Sequence, residues 1–175
     1  MSVKPFWKPS KEIIEQSNIY KMMQNYDFKN YEDFWKWSVT NKEDFWGATV
    51  QNLEIKLAKK YVSILDISKG IENPEWLKNA KLNIVDSCFQ NSDDAIAVIF
   101  QEEGKPIQKV TQNELLNLVN QIANGLVELG LKQGDKIAID MPMTLEAVAV
   151  YLAGIKAGMP IVTIADSFTL NEISV

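Results

Sequence analysis

Adjacent carboxylates occur twice in the second half of the chain, at Asp93–Asp94 and Glu102–Glu103, and a carboxyl pair is the least that general acid–base work requires. Neighbouring residues at a strand end or turn point to opposite sides, so both pairs read as solvated turn charges. The single thiol, Cys88, stands beside Phe89 in an apolar stretch far in sequence from any obvious cation, which predicts a buried, inert sulfur. Histidine is absent, and this excludes histidine-based triads, imidazole catalysis and His-ligated zinc. All 18 basic residues are lysine, so no guanidinium fork is present to clamp phosphate or read guanine. None of the eight glycines forms a GxGxxG or a P-loop: Gly104-Lys105 runs into Pro106, and Gly134 into Asp135. No Ser-x-x-Lys, nucleophile elbow or metal-ligand cluster appears either. The sequence nominates no catalytic residue and no metal ligand of its own.

The elements that would position a site are nevertheless clear after residue 90. A strand is expected at Ala95–Phe100, with a hairpin return near Gln108–Val110. A long amphipathic helix then opens on the capping box Thr111/Glu114, carries Leu115, Leu118, Val119, Ile122, Leu126 and Val127 at helical spacing, and closes at Gly130. Lys136–Asp140 reads as a strand after a Gly-Asp turn, Thr144 opens a helix, and Ile161–Ile164 reads as the next strand. Two strands flanking a helix make a βαβ unit and imply a parallel sheet. Thr169 with Glu172 is a further capping box at the start of another helix. A parallel sheet wants helices on both faces, and these elements are too few to cover one.

The front of the chain has another character. Eleven of seventeen aromatics fall within the first 46 residues. The pattern predicts three short helices there: one capped by Ser10, one beginning at Asn30 or Tyr31, and one at Thr40 or Asn41 with Glu43 and Asp44 in its first turn. Phe34, Trp35, Trp37, Phe45 and Trp46 are too many for a solvated surface, so most are expected to be buried. Residues 60–82 look less regular, with a strand at YVSIL, a turn at SKG and a helical turn started by Pro74 and running to Leu77. Asn83 is expected to cap a short helix through Phe89.

A net charge of -5 gives no attraction to polyanions, and nucleic acid is not an expected partner. Residues 145–165 are apolar and nearly long enough to cross a bilayer. Glu146, Lys156 and the break from Gly158 to Pro160 divide them into helix and strand, so no membrane association is expected. Gly154 and Gly158 then mark close packing and a helix stop. One cysteine allows no internal disulfide, and MSVKPFWKPSKEII has no signal-peptide run. Both favour a cytoplasmic protein.

In order along the chain, these pieces resemble the amino-terminal part of an AMP-forming acyl-CoA synthetase of the acetyl-CoA synthetase type, in the adenylate-forming superfamily. The block TQNELLNLVNQIANGLVELGLKQGDKIAIDMPMTLEAVAVYLAGIKAGMPIV is similar to that family's helix, GD-strand, MPM, helix, AG-strand run. PEWLKNAKLNIVDSCF resembles the entry into the core, and the aromatic helices resemble the extra amino-terminal region. IADSF looks closest to the plant-like acyl-activating branch. The resemblance implies an α/β fold: a mostly helical region over 1–90, then the first βαβ portion of the AMP-binding domain over 91–175, incomplete. It implies that the parent uses ATP, magnesium and coenzyme A to activate a small acid, with acetate as the nearest analogy. It also implies that the phosphate loop, magnesium motif and adenylation lysine follow the last residue here, so this chain alone would bind no cofactor, would be inactive, and would have the remainder of its own chain as partner. One site carries over: Phe168, with Ser167 and Asp166, stands where acetyl-CoA synthetases have a Gly-Gly-Phe stretch whose phenylalanine holds the coenzyme A adenine. The two glycines are not matched here, which bears on how closely a nucleotide can approach the backbone. A competing reading from another class is a non-catalytic α/β interaction module that docks a protein partner through its aromatic helical layer.

Overall fold

The computed structural model describes residues 6–174. Within them the chain forms two compact units, one drawn from Met1–Leu53 with Ser63–Lys78, the other from Glu54–Val62 with Asn79–Val175.

The first unit contains four helices where three are expected: α1 (Lys11–Gln16), α2 (Asn18–Asn25), α3 (Tyr31–Thr40) and α4 (Lys42–Asn52). Ser17 makes the difference. Its extended backbone ends α1, and its hydroxyl oxygen accepts from the Tyr20 N–H at 3.1 Å to start α2. Ser10 caps α1 as expected, and Asn30 caps α3 by accepting from the Asp33 N–H at 2.9 Å. Phe28, Phe34, Trp37 and Phe45 pack edge-on or tilted, with centroids 5.2–6.2 Å apart, the geometry that ring quadrupoles favour.

The expectation that most of the five singled-out aromatics are buried is corrected. Only Phe34 is buried, Trp37 and Phe45 are half-buried, and Trp35 and Trp46 are exposed. Consecutive helical residues lie about 100° apart, so 34 and 35, or 45 and 46, cannot share an inward face. The segment after α4 also differs from expectation. No strand spans YVSIL; the strand is β1 (Leu65–Asp66), paired antiparallel with β2 (Glu75–Trp76). The helical turn expected from Pro74 is therefore an extended segment, and positive φ at Leu77 and Asn79 turns the chain away after it.

The second unit begins with α5 (Ile84–Cys88), capped by Asn83 through an acceptor bond from the Val85 N–H. Cys88 is exposed, correcting the buried-thiol expectation: on so short a helix Val85 takes the inward position and Cys88 does not. The antiparallel pair β3 (Ile96–Phe100) and β4 (Gln108–Thr111) leads into α6 (Gln112–Glu128). Both halves of the predicted capping box are made: Glu114 N–H donates to Thr111 Oγ1 at 3.2 Å, and Thr111 N–H donates to Glu114 Oε2 at 2.8 Å.

β5 (Ile137–Asp140), α7 (Leu145–Lys156) and β6 (Ile161–Ile164) form the expected βαβ unit. Its strands are parallel and in register from Ile137↔Ile161 to Asp140↔Ile164. Leu115, Val119 and Ala123 of α6 meet Ala149 and Ala153 of α7 in the main core. The small residues let the two helices approach closely. Gly154 brings α7 onto β6, since a Cβ there would lie 2.3 Å from Ile161 Cδ1, and Gly158 ends the turn at φ +77°. Asn83 Nδ2 donates to the carbonyls of Ile155 and Lys156, both at 3.0 Å, tying α5 to the last turn of α7. Among the described residues no helix is long and apolar enough to cross a membrane.

Candidate functional site

The carboxyl ends of parallel strands are where open α/β sheets bind ligands, and here two loops meet at that end. One is Met141–Thr144, between β5 and α7; the other is Ala165–Thr169, between β6 and α8 (Leu170–Ile173). Asp140 and Ile164, the last residues of their strands, are partners in register, so the loops leave side by side.

The first loop opens an apolar cleft of about 250 Å³, lined among others by Ile139, Met141, Met143, Tyr151 and Ile164. Met143 is almost fully exposed, at 91%. The second loop carries the predicted site residues. Asp166 and Ser167 form a turn closed by the Phe168 N–H donating to the Ala165 carbonyl at 2.9 Å. All three are exposed, and Phe168 keeps 51% of its surface accessible. The structure thus holds Asp166, Ser167 and Phe168 together in one turn, and none of them lines the apolar cleft. Just beyond, Glu172 accepts from the Thr169 N–H at 2.7 Å and from its hydroxyl at 2.9 Å, which holds its carboxyl below the usual range.

The charges at this end decide what it can hold. Asp140, Glu146, Asp166 and Glu172 fall on or beside the strand carboxyl ends. The two lysines of the βαβ segment lie at its other end, Lys136 before β5 and Lys156 in the last turn of α7. The α7 N-terminus is capped by Thr144, which accepts from the Ala147 N–H, and carries Glu146 in its first turn. A triphosphate does not fit this set of groups. An exposed ring such as Phe168 can stack a flat heterocycle. Among the described residues no three His, Cys, Asp or Glu side chains gather as metal ligands.

Sequence reasoning did not find the cleft at Met141, Met143 and Tyr151. Its signal was present in Met-Pro-Met: two methionines two positions apart, directly after a strand, with no helical period to bury both.

Residues 85–175, which hold the βαβ unit and both loops, match the model of the AMP-binding enzyme family. The chain belongs to the AMP-binding enzyme family. Residues 31–88, which overlap that match at 85–88, match the acetyl-coenzyme A synthetase N-terminus. Among curated relatives of the family, a probable peroxisomal acyl-activating enzyme 18 of Arabidopsis thaliana is 36% identical over 97% of this chain and 26% of its own length. An acetoacetyl-CoA synthetase of Xenopus tropicalis is 30% identical over 99% of this chain and 27% of its own. The solved acetoacetyl-CoA synthetase from Streptomyces lividans superposes on 98% of this chain with a TM-score of 0.88, at 23% identity, and 28% of that structure is covered. This last likeness concerns the fold. The chain spans about a quarter of the length of these relatives, and the segment it matches is the amino-terminal region of AMP-forming acyl-CoA synthetases.

Proposed function

We propose that this chain is the amino-terminal part of an acid–thiol ligase. In the reaction, an oxygen of the acid's carboxylate attacks the α-phosphorus of ATP. The bond to the β-phosphate breaks, and pyrophosphate leaves with an acyl-adenylate remaining. The thiol of coenzyme A then attacks the acyl carbon and AMP departs. Magnesium, when bound, would offset the charge of the triphosphate. The observation that carries this reading is the unbroken succession of the two family matches over 31–88 and 85–175.

Within that reaction this chain's own part is scaffolding and one contact. The packed α6–α7 pair supports the β5–β6 ladder, which presents Phe168 on an exposed turn. We assign that ring to stacking on the coenzyme A adenine, with Ser167 and Asp166 shaping the turn. Side chains at 166 and 167 stand off a nucleotide further than two glycines would, so the stack is the main contact. Binding of ATP and magnesium falls to residues outside this chain, because the strand carboxyl ends here are acidic. A small acid such as acetate is the proposed substrate. The helical region over 1–90 and the AMP-binding portion over 91–175 are the proposed functional division. Cytoplasmic placement is proposed from the single cysteine, which can form no internal disulfide.

The test starts from the polypeptide that carries this sequence in its natural source, captured with an antibody against residues 31–175. A mass several times 19.9 kDa, with acid-dependent ATP–pyrophosphate exchange, is the expected result. A 19.9 kDa species without exchange overturns the reading. In the active protein, Phe168→Ala is expected to raise the KM for coenzyme A by about tenfold, equivalent to roughly 1.4 kcal/mol, and to leave pyrophosphate exchange unchanged. A fall in exchange with no change in KM would instead make Phe168 a packing residue.

A further inference from the structure

Beside α5 the second unit holds a cavity in which unpaired cations meet apolar walls. It measures about 410 Å³ and is lined by Lys56, Asp86 and Lys156 together with Leu57, Phe89 and Leu116, among others. All six belong to the same unit. Local hydrogen bonds fix the walls. The Lys56 N–H donates to Ser87 Oγ at 2.9 Å, which ties its segment to α5. Asn83 Nδ2 satisfies the carbonyls of Ile155 and Lys156 at the end of α7, so the Lys156 ammonium is not needed to bond them.

Among the described residues neither Lys56 nor Lys156 makes an ion pair, with Asp86 or with any other carboxylate. Lys156 is half-buried, as are Leu57, Phe89 and Leu116, while Lys56 is exposed. A partly desolvated ammonium without a counter-ion gains from an incoming anion. The surroundings add to the pull. Lys59, next in the chain to the lining residue Ala58, exchanges both backbone hydrogen bonds with Lys81 at 3.0 Å in an antiparallel bridge. Their side chains therefore leave on one side as directly opposed like charges, and neither meets a carboxylate among the described residues. Such clustering concentrates anions nearby. Within the cavity, two ammoniums against the Asp86 carboxylate leave a single net positive charge, which suits a monoanion and penalises a phosphate chain.

We propose that this cavity binds an amphipathic monoanion, a carboxylate on a medium-length hydrocarbon body: its headgroup meets the Lys56 and Lys156 ammoniums and its hydrocarbon covers Leu57, Phe89 and Leu116. Burial of hydrocarbon supplies affinity that a bare inorganic anion cannot. Lys156, in the last turn of α7, stands at the other end of the βαβ segment from the turn that carries Phe168. A molecule held here is an effector rather than a reactant, and its binding stands or falls independently of the ligase reading.

Backbone amide chemical shifts of the isotope-labelled 175-residue chain, followed during titration with sodium octanoate, test it. Saturable shifts at residues 56–58, 85–89 and 155–157 are expected, with a Kd of about 1 mM. Lys56→Gln with Lys156→Gln should weaken binding at least about tenfold, and butanoate should bind at least about tenfold more weakly than octanoate. Asp86→Asn should tighten octanoate binding. No saturable shift up to about 20 mM octanoate overturns the proposal, as do shifts centred on the cleft at Met141 and Met143, or binding undiminished in the double lysine variant. Octanol binding as tightly as octanoate would remove the anion from the reading, and pyrophosphate binding more tightly would replace the monoanion with a phosphate; either result overturns it. If the double variant loses its dispersed spectrum, Lys56→Gln decides alone, because that side chain is exposed and makes no hydrogen bond or ion pair among the described residues.

Discussion

Asp66 has the most strongly perturbed carboxyl among the described residues, and its surroundings explain why. The Lys78 ammonium donates to it, and the Ser68 N–H does so at 2.8 Å, holding its carboxyl far below the usual range. Lys69 does the same for Glu75, while Asp66 raises the pKa of Lys78 above its ordinary 10.5. For a carboxyl whose folded pKa is depressed, the stabilisation is complete above the unfolded value and is lost as pH falls through the folded value. For a lysine whose pKa is raised, it is complete below the unfolded value and is lost as pH rises through the folded one. Stability should therefore be flat near neutrality, fall below about pH 5, and fall again on the alkaline side above 10.5. Urea midpoints across pH read this directly. Asp66→Asn should lie below the natural chain at pH 7 and converge with it in strong acid. Parallel curves at all pH values would mean that the pair contributes nothing to folding. None of this was visible in the sequence, because Asp66 and Lys78 meet only through the β1–β2 pairing, and the sequence placed a helical turn where β2 runs.

At the scale of elements, Gly154 fixes how tightly α7 lies on its sheet. A Cβ there would stand 2.3 Å from Ile161 Cδ1 and 3.6 Å from Ile137 Cδ1. In Gly154→Ala only the mobile end of Ile161 has to swing aside. That cost is offset by the roughly 1 kcal/mol by which alanine favours a helix interior over glycine, so near-neutral stability is expected. Gly154→Val adds two more carbons facing the strands and should cost about 1–3 kcal/mol by overpacking. Equal urea midpoints for the two variants would show that α7 is not pressed against β6. The elements legible in the sequence were those with local, redundant signals. Thr111 with Glu114, Leu115 to Val127 at helical spacing, and the glycines at 130 and 158 each pointed to the structure found. The misread elements lacked such agreement. Ser17 ends one helix and begins the next within a single residue, so a three-helix reading had nothing to contradict it. At α5 the apolar company of Cys88 and Phe89 suggested burial, but a five-residue helix has room to bury little more than Val85.

At the scale of the whole molecule, the β-ladders among the described residues come in pairs: β1–β2, β3–β4 and β5–β6 are separate two-stranded sheets. A two-stranded ladder is marginal without cover, and Ile99, Ile107 and Val162 are all more than half exposed. This was legible in the element order, since one βαβ unit cannot cover both faces of a parallel sheet. The proposed site was legible less fully: Phe168 was singled out through resemblance alone, because an exposed ring in a turn has no periodic signature. The unequal burial predicts an order of amide exchange within the second unit. Opening α6 or α7 must break the shared core of Leu115, Val119, Ala149 and Ala153, so amides in 115–123 and 149–156 should be the slowest. Among the described residues the outer edges of β5 and β6 have no partner strand, and their amides should exchange within the shortest labelling times. Hydrogen exchange read by mass spectrometry on the 175-residue chain separates the two classes. If the β5 and β6 edges were as protected as α6, another strand or a second molecule would have to be paired along them. If instead only α6 and α7 persist, the helix pair is the stable body of the unit, and the ladder carrying Phe168 is held in place from one face.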